Sequence, residues 1–223
     1  MMLVRDWMTV NVLSLGVNSS IMDAAEILHE KNIRQFPVLD SRGRLAGIIS
    51  DRDIRDAMPS KFIPGDAVTH TGGGLYTLTA GDIMTLDPYT VSPDTAIDEV
   101  ADLLVRHKIG GLPVIEDGKL VGIITQIDVL RFLCSVSGST QPGAQLAFRL
   151  NPETFPLSEL LCDIKEMGLS ISSVFVASDG DHRNTYVRLT GIGEKSMETI
   201  VDQLQLKYTI LFYVNEGITV DVR

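Results

Sequence analysis

Cysteine is scarce in this chain, with only Cys134 and Cys162 among 223 residues. A small secreted domain held together by disulfides is therefore not expected, and we interpret both residues as reduced thiols of a core or a linker. No apolar run approaches the roughly 18 residues that a membrane helix needs. Arg5 and Asp6 stand where a signal peptide would be apolar. These absences predict a cytoplasmic protein with no membrane partner.

Positive charge is also in short supply. The chain has 19 lysines and arginines against 29 aspartates and glutamates, which gives a formal net charge of −10. General nucleic-acid binding depends on cations that neutralise phosphates, so we expect no nucleic-acid partner. A small phosphorylated ligand is still allowed, because a few local cations suffice for it.

Catalytic and metal-binding patterns are missing as well. The four histidines are scattered and have no metal-ligand spacing to acidic residues or cysteine. A glycine-containing run at 191–196 resembles a phosphate loop but lacks the required register, so we interpret it as a turn. No nucleophile, base and orienting group form a recognisable set. We therefore predict no catalytic residues, no metal site and no enzymatic cofactor.

What the chain does contain is an internal repeat. Met8-Thr9 recurs as Met84-Thr85, a shift of 76 residues, and Gly47-Ile48-Ile49 recurs as Gly122-Ile123-Ile124, a shift of 75. The helix-spaced apolar residues Ile21, Ala24, Ala25 and Leu28 recur as Ile97, Val100, Ala101 and Leu104. A repeat that keeps both its apolar pattern and its turn glycines indicates a duplicated folding unit.

The patterns predict an α+β protein. Each repeat reads as a short leading strand, a helix, a hairpin of two strands and a second helix, in the order β-α-β-β-α. The C-terminal pattern follows the order β-α-β-β-α-β, which is the ferredoxin-like arrangement. The predicted boundaries are 1–56 and 80–134 for the repeats, 57–79 and 135–143 for two linkers, and 144–223 for the last domain. A ligand can bind in the clefts between paired units of this size.

Each return strand is followed by a hydroxyl residue and, three positions later, an aspartate: Ser50 with Asp53, and Thr125 with Asp128. One interpretation is structural, because this spacing at a strand-to-helix junction is a capping box. The other is functional, because a free hydroxyl can bind phosphate and a carboxylate can accept both hydroxyls of a ribose. The spacing alone does not decide between them.

These motifs together resemble the CBS domain family: Asp-x-Met-Thr before the first helix, Pro-Val in the hairpin, and the closing Ser/Thr-x-x-Asp. Two copies in tandem resemble a Bateman module. The resemblance implies that the clefts between the repeats bind adenosine-containing ligands, with adenine among apolar side chains near the leading and Pro-Val strands. It also implies that Asp53 and Asp128 hold the ribose, while Ser50 and Thr125 contact the phosphate.

In this family the two residues before the hydrophobic-Pro-Val strand often supply cations to the phosphates. Arg34-Gln35 occupy these positions in the first repeat, whereas Gly110-Gly111 in the second have no side chains. We therefore expect unequal clefts, because a charge-assisted hydrogen bond contributes roughly 1.5–3 kcal/mol, or about 10–100-fold in affinity. The candidate nucleotide-binding residues are Thr9, Arg34, Gln35, Ser50 and Asp53, together with Thr85, Gly111, Leu112, Thr125 and Asp128.

The last domain resembles the ACT domain, a small-molecule sensor that usually dimerises through its sheet. Residues 150–156 lack the glycine of the usual amino-acid-binding turn, so we infer the fold and the dimer contact only. Two CBS repeats followed by an ACT domain resemble the acetoin-utilisation protein family AcuB. This resemblance implies a homodimeric regulatory protein that senses an adenine nucleotide and regulates a metabolic enzyme. The alternative hypothesis is a dimeric interaction scaffold whose ligand clefts are vestigial.

Overall fold

The computed structural model describes residues 2–57, 78–151, 156–180, 182–193 and 196–222. The chain divides into two compact units, Met1–Leu130 and Arg131–Arg223. Most of the predicted linker at 57–79 lies outside the described residues, and so does most of the loop at 150–156.

The first unit contains both sequence repeats up to Leu130, which lies within the last helix of the second repeat. The first repeat forms a one-turn 3-10 helix (Val4–Asp6), β1 (Leu15–Gly16), α1 (Ile21–Lys31), β2 (Gln35–Leu39), β3 (Leu45–Ser50) and α2 (Asp51–Ala57). The second repeat forms α3 (Ala80–Ile83), β4 (Thr85–Leu86), α4 (Ile97–His107), β5 (Gly111–Glu116), β6 (Lys119–Thr125) and α5 (Gln126–Ser137). The predicted succession of helix, hairpin and closing helix is therefore confirmed in both repeats.

Local sequence explains where α1 begins and ends. The hydroxyl of Ser20 accepts a hydrogen bond from the amide of Met22 at 3.2 Å, which caps the N-terminus of the helix. Ala24 and Leu28 lie on one face of α1 and are buried. Asn32 ends the helix in the left-handed conformation with φ of 51°, which asparagine adopts more readily than most residues.

The leading segments, residues 4–9 of the first repeat and 80–86 of the second, differ from the predicted strands, because each begins with a helical turn and only then becomes extended. Trp7, which the pattern placed in a strand, follows the first turn as its C-cap. Each turn includes a hydrogen bond between residues four apart, from the amide of Met8 to the carbonyl of Val4 at 2.8 Å and from the amide of Met84 to the carbonyl of Ala80 at 3.0 Å. Val4 and Ala80 are fully buried, so each turn carries one apolar side chain into a core.

The leading segments are also exchanged between the repeats. Leu86 pairs with Gly47 and Thr85 with Ile48, so β4 of the second repeat extends the sheet of the first in the order β1-β2-β3-β4. In return, Thr9 of the first repeat exchanges two backbone hydrogen bonds with Ile123 of β6, at 2.9 and 3.0 Å.

Buried side chains follow the same exchange. Ala80 belongs to the core of the first repeat, with Leu28, Phe36 and Ile54 among its members. Val4 donates its amide to the carbonyl of Thr95 at 2.9 Å, just ahead of α4 in the second repeat. The leading segment of each repeat therefore bonds to the other repeat, and Ala80 also joins the core of the first repeat.

The second unit is an α+β domain with an antiparallel sheet. It contains β7 (Ala144–Leu150), α6 (Leu157–Glu166), β8 (Ser170–Asp179), β9 (His182–Thr190), α7 (Met197–Gln205), β10 (Thr209–Asn215) and β11 (Ile218–Asp221). The first six of these elements follow the predicted order β-α-β-β-α-β. The sheet order β11-β10-β7-β9-β8 puts β7 and β9 side by side in the middle, as the ferredoxin-like arrangement requires.

The sequence did not predict β11. Glu216 and Gly217 both have positive φ, 49° and 79°, which is typical of a two-residue hairpin turn. This turn brings Ile218 opposite Asn215 and adds one more strand at the edge of the sheet.

Helix α5 continues to Ser137, beyond the predicted repeat boundary at 134. The hydroxyls of Ser137 and Ser139 donate to the carbonyl of Cys134 at 3.2 and 3.3 Å, which satisfies an acceptor at the helix end. Gly138 then ends the helix with φ of 66°. Cys134 and Cys162 are free, as predicted, but they are exposed on helices rather than placed in a core or a linker.

A polar cluster joins α6 to the residues that follow α7. Nζ of Lys207 lies 2.8 Å from Oδ2 of Asp163 and 2.6 Å from Oε1 of Glu159. The hydroxyl of buried Tyr208 donates to the same Asp163 oxygen at 2.5 Å. Burial, reinforced by this hydrogen bond, raises the pKa of Tyr208 to about 12. Hydrogen bonds from Lys207 and Tyr208 lower the pKa of Asp163.

Replacing Tyr208 with phenylalanine is expected to lower the free energy of unfolding of the second unit by about 1 kcal/mol at neutral pH, because the hydrogen bond from its hydroxyl to Asp163 is lost. Folded Tyr208 keeps its proton up to about pH 12, whereas the unfolded chain loses it near pH 10.0. The wild-type advantage should therefore be complete below this lower value and disappear as the pH rises towards the higher one. Urea unfolding of both proteins across this range measures it, and a pH-independent difference would contradict the assignment.

Candidate functional site

Ser50 and Asp53 form the first closing motif, at the junction of β3 and α2. The amide and the hydroxyl of Ser50 both donate to Oδ2 of Asp53, at 2.7 and 2.6 Å. The amide of Asp53 donates back to the Ser50 hydroxyl at 3.3 Å. The structural interpretation of this motif as a capping box is therefore confirmed.

The second closing motif has nearly the same geometry. The amide and hydroxyl of Thr125 donate to Oδ2 of Asp128 at 2.9 and 2.6 Å. A third box, not singled out from the sequence, joins Thr79 to Asp82 at 2.8 and 2.7 Å. A search for Ser/Thr-x-x-Asp outside the return strands would have found it. Because the box recurs at the start of α3, its geometry alone does not identify a ligand site.

The two aspartates of the closing motifs differ in accessibility. Asp128 is 3% exposed, whereas Asp53 is partly exposed. Both hydrogen bonds to the Asp53 carboxylate end on Oδ2, and no described residue donates to Oδ1. Asp53 therefore keeps an acceptor that a ligand hydroxyl can use without breaking the cap.

The exchange of leading segments decides which threonine accompanies which closing motif. Thr85 is directly opposite Ile48, and Ser50 is two positions further along β3, so all three side chains lie on one face of the sheet. The structure thus places Thr85 of the second repeat with Ser50 and Asp53.

The second closing motif is accompanied by the other threonine in the same way. Thr9 of the first repeat is opposite Ile123, two positions before Thr125 on β6, and so accompanies Thr125 and Asp128. Thr9 and Thr85 are both exposed. The sequence could not reveal this crosswise grouping, because it depends on which hairpin each leading segment joins.

The remaining candidates surround the start of each Pro-Val strand. Arg34 is exposed, and its carbonyl accepts from the amide of Asp51 at 2.8 Å, which ties it to the start of α2. Gln35 is directly opposite Ser50, and Gly111 is directly opposite Thr125. Leu112 is fully buried and lies on the opposite face of β5 from Gly111.

Neither a metal-binding cluster nor a membrane-spanning helix occurs among the described residues. Within the described ranges, no three residues among histidine, cysteine, aspartate and glutamate come together closely enough to hold a metal ion. No helix in this described part of the chain is both long enough and apolar enough to cross a membrane.

The sequence model of the CBS domain family matches residues 4–60 and 80–135, which together make up half of the chain. The chain belongs to the CBS domain family. The tandem CBS prediction is therefore confirmed, and the match ends at residue 135, before β7. A CBS domain-containing protein of Dictyostelium discoideum is 31% identical over 141 residues, which cover 63% of this chain and 97% of that protein. The CBS pair also occurs within longer proteins: the match to an L-aspartate semialdehyde sulfurtransferase of Methanocaldococcus jannaschii, 33% identical, covers 58% of this chain and 23% of that protein.

Solved CBS structures resemble the same part of the chain. The crystal structure of CBSX2 of Arabidopsis thaliana in complex with AMP is 34% identical and covers 60% of this chain and 96% of that one, with a TM-score of 0.50. A protein of Vibrio cholerae assigned to acetoin utilization (AcuB) is 28% identical and covers 64% of this chain and 99% of that one, with a TM-score of 0.51. These similarities support an α+β fold with tandem CBS repeats.

Proposed function

We propose that this chain is a non-enzymatic sensor that binds an adenosine nucleotide in a cleft between its CBS repeats. The observation that carries the proposal concerns Asp53. Its side chain is partly exposed, and Oδ1 accepts no hydrogen bond from a described residue, whereas Oδ2 accepts from Ser50. The AMP complex of CBSX2, a relative of similar fold, supports an adenosine ligand for this class of cleft.

The proposed binding roles follow from side-chain chemistry. Asp53 accepts hydrogen bonds from the ribose hydroxyls, since an ionised carboxylate can accept two at once. Ser50 and Thr85, which share a sheet face, supply hydroxyl donors for the phosphate. Arg34 is exposed at the start of β2 and supplies the positive charge. Binding across both repeats would favour one arrangement of the pair only to the extent that this arrangement binds the ligand more tightly.

The second unit and the assembly extend the proposal. The β-α-β-β-α-β order and the central position of β7 and β9 support an ACT-type regulatory domain. We further propose a homodimer formed through this sheet, a cytoplasmic location, and regulation of a metabolic enzyme in the manner of the AcuB family. The similarity to the Vibrio cholerae protein supports this last step only through its CBS part, because it covers 64% of the chain.

A scaffold without ligand is the second candidate. The observation that favours it is that both closing motifs are internally bonded, and that Asp128 is almost inaccessible. In this case the boxes only cap α2 and α5, and the paired repeats present a surface to another protein.

Thermal unfolding with AMP, ADP, ATP and GMP separates the two candidates. A sensor present with ligand at about 100 times its dissociation constant should gain roughly 2.7 kcal/mol of stability. We expect this gain with at least one adenosine nucleotide and not with GMP. A melting temperature that none of the four ligands changes would favour the scaffold.

A further inference from the structure

The side chain of Gln35 reaches from the first repeat onto the second. A methyl group built on Gly111 would lie 1.9 Å from Nε2 of Gln35 and 3.1 Å from its Cδ. A methyl group on the neighbouring Gly110 would lie 3.7 Å from Oε1 of Gln35. The Gln35 amide therefore occupies the volume that a side chain at position 111 would need.

Strand register shows what this amide lies beside. Gln35 is paired with Ser50 of the first closing motif, while Gly111 is paired with Thr125 of the second. Directly paired residues of an antiparallel ladder have side chains on the same face. The Gln35 side chain thus begins next to Ser50 and ends on the strand position next to Thr125.

The two repeats consequently differ on the side where phosphate would bind. The first repeat carries Gln35 at the position where the second has Gly111, and this one side chain fills the space left by the glycine. Gly111 is buried, and Asp128 beyond Thr125 is 3% exposed, whereas Asp53 is partly exposed. Among the described residues, none forms a hydrogen bond with the Gln35 side-chain amide.

We infer that Gln35 is a specificity-determining residue that closes the Thr125–Asp128 cleft to phosphorylated nucleotides, so that each chain binds one AMP, at Ser50 and Asp53. The inference rests on the proposed function. The two clefts then differ for two reasons. The second repeat has no cation at the position of Arg34, and the Gln35 side chain of the first repeat fills the space beside Gly111.

Isothermal titration with AMP tests this, on the full chain and on Gln35→Ala. We expect one AMP per chain for the wild type and two for Gln35→Ala. The second site of Gln35→Ala should bind AMP at least about tenfold more tightly than any weak second site of the wild type, and tenfold in affinity corresponds to about 1.4 kcal/mol. Adding Asp128→Asn to Gln35→Ala should restore a stoichiometry of one, since it removes the carboxylate of the opened cleft.

Gln35→Ser is the second variant, which shortens the side chain but keeps it polar. Gly110→Ala is the matched control, because its methyl group fits without displacing Gln35, and it should still bind one AMP.

The outcomes are distinguishable. If Gln35→Ala and Gln35→Ser fold and still bind one AMP with wild-type affinity, Gln35 does not close the second cleft and the inference is overturned, while the sensor function stands. A loss of the original site in both variants also overturns it, because Gln35 would then serve the first cleft. Wild-type protein that binds no AMP, ADP or ATP contradicts the proposed function itself.

Discussion

Replacing Asp53 with asparagine is expected to weaken AMP binding about 10–100-fold, because the ribose then loses hydrogen bonds to an ionised acceptor, worth roughly 1.5–3 kcal/mol. Asparagine has nearly the same shape, and its carbonyl oxygen can still accept from the amide and hydroxyl of Ser50. The cap of α2 should therefore survive the substitution. Calorimetric titration of AMP into both proteins measures the change in affinity.

Asp82→Asn is the matched control for this substitution. Asp82 accepts from the amide and hydroxyl of Thr79 at 2.8 and 2.7 Å, and Asp53 accepts from Ser50 at 2.7 and 2.6 Å. Both variants remove one negative charge from a capping box, so their effects on the free energy of unfolding should be similar. Only Asp53→Asn should change the affinity for AMP. Equal affinities in wild type, Asp53→Asn and Asp82→Asn would show that the first closing motif is a helix cap and nothing more.

The part of the fold that the sequence could predict is the part set by local periodicity, namely the helices and hairpins. Ile21, Ala24 and Leu28 are spaced for one face of a helix, and the structure buries all three. The return strands after Gly43 and Gly118 were predictable for a similar reason, since both glycines adopt positive φ in tight turns, 75° and 74°. Such signals depend on neighbouring residues, and these elements were found.

The pairing of distant segments could not be read in the same way. Thr9 and Thr85 precede similar helices, and Gly47 and Gly122 begin the same Gly-Ile-Ile run, so the sequence fits either pairing equally well. The exchange matters for the candidate site, because it moves Thr85 next to Ser50. The fit of Gln35 against Gly111 was likewise invisible, because it joins strands of two different hairpins.

Packing at the two return-strand glycines makes the exchange testable. A methyl group on Gly47 would lie 2.7 Å from Sδ of Met84 and 2.7 Å from the carbonyl oxygen of Thr85. The sulfur can move, but the carbonyl belongs to β4 and can retreat only if the pairing with β3 opens. We therefore expect Gly47→Ala to lower the free energy of unfolding of the first unit by about 2–3 kcal/mol. Urea unfolding monitored by circular dichroism measures it. Gly16→Ala is the control and should be neutral, because its nearest neighbour, Oγ of Ser19, would be 3.7 Å away.

Double-mutant cycles then identify which repeat supplies the contact. With exchanged leading segments, Gly47→Ala should couple to Met84→Ala by roughly 0.5–3 kcal/mol, because truncating Met84 removes part of the clash. It should not couple to Met8→Ala, since Met8 lies against Gly122, where a methyl group would be 2.6 Å from its Sδ. Coupling of Gly47 to Met8 instead would mean that each leading segment returns to its own hairpin. Thr9, and not Thr85, would then stand beside Ser50 and Asp53, so the same cycle that tests the fold also decides the composition of the proposed cleft.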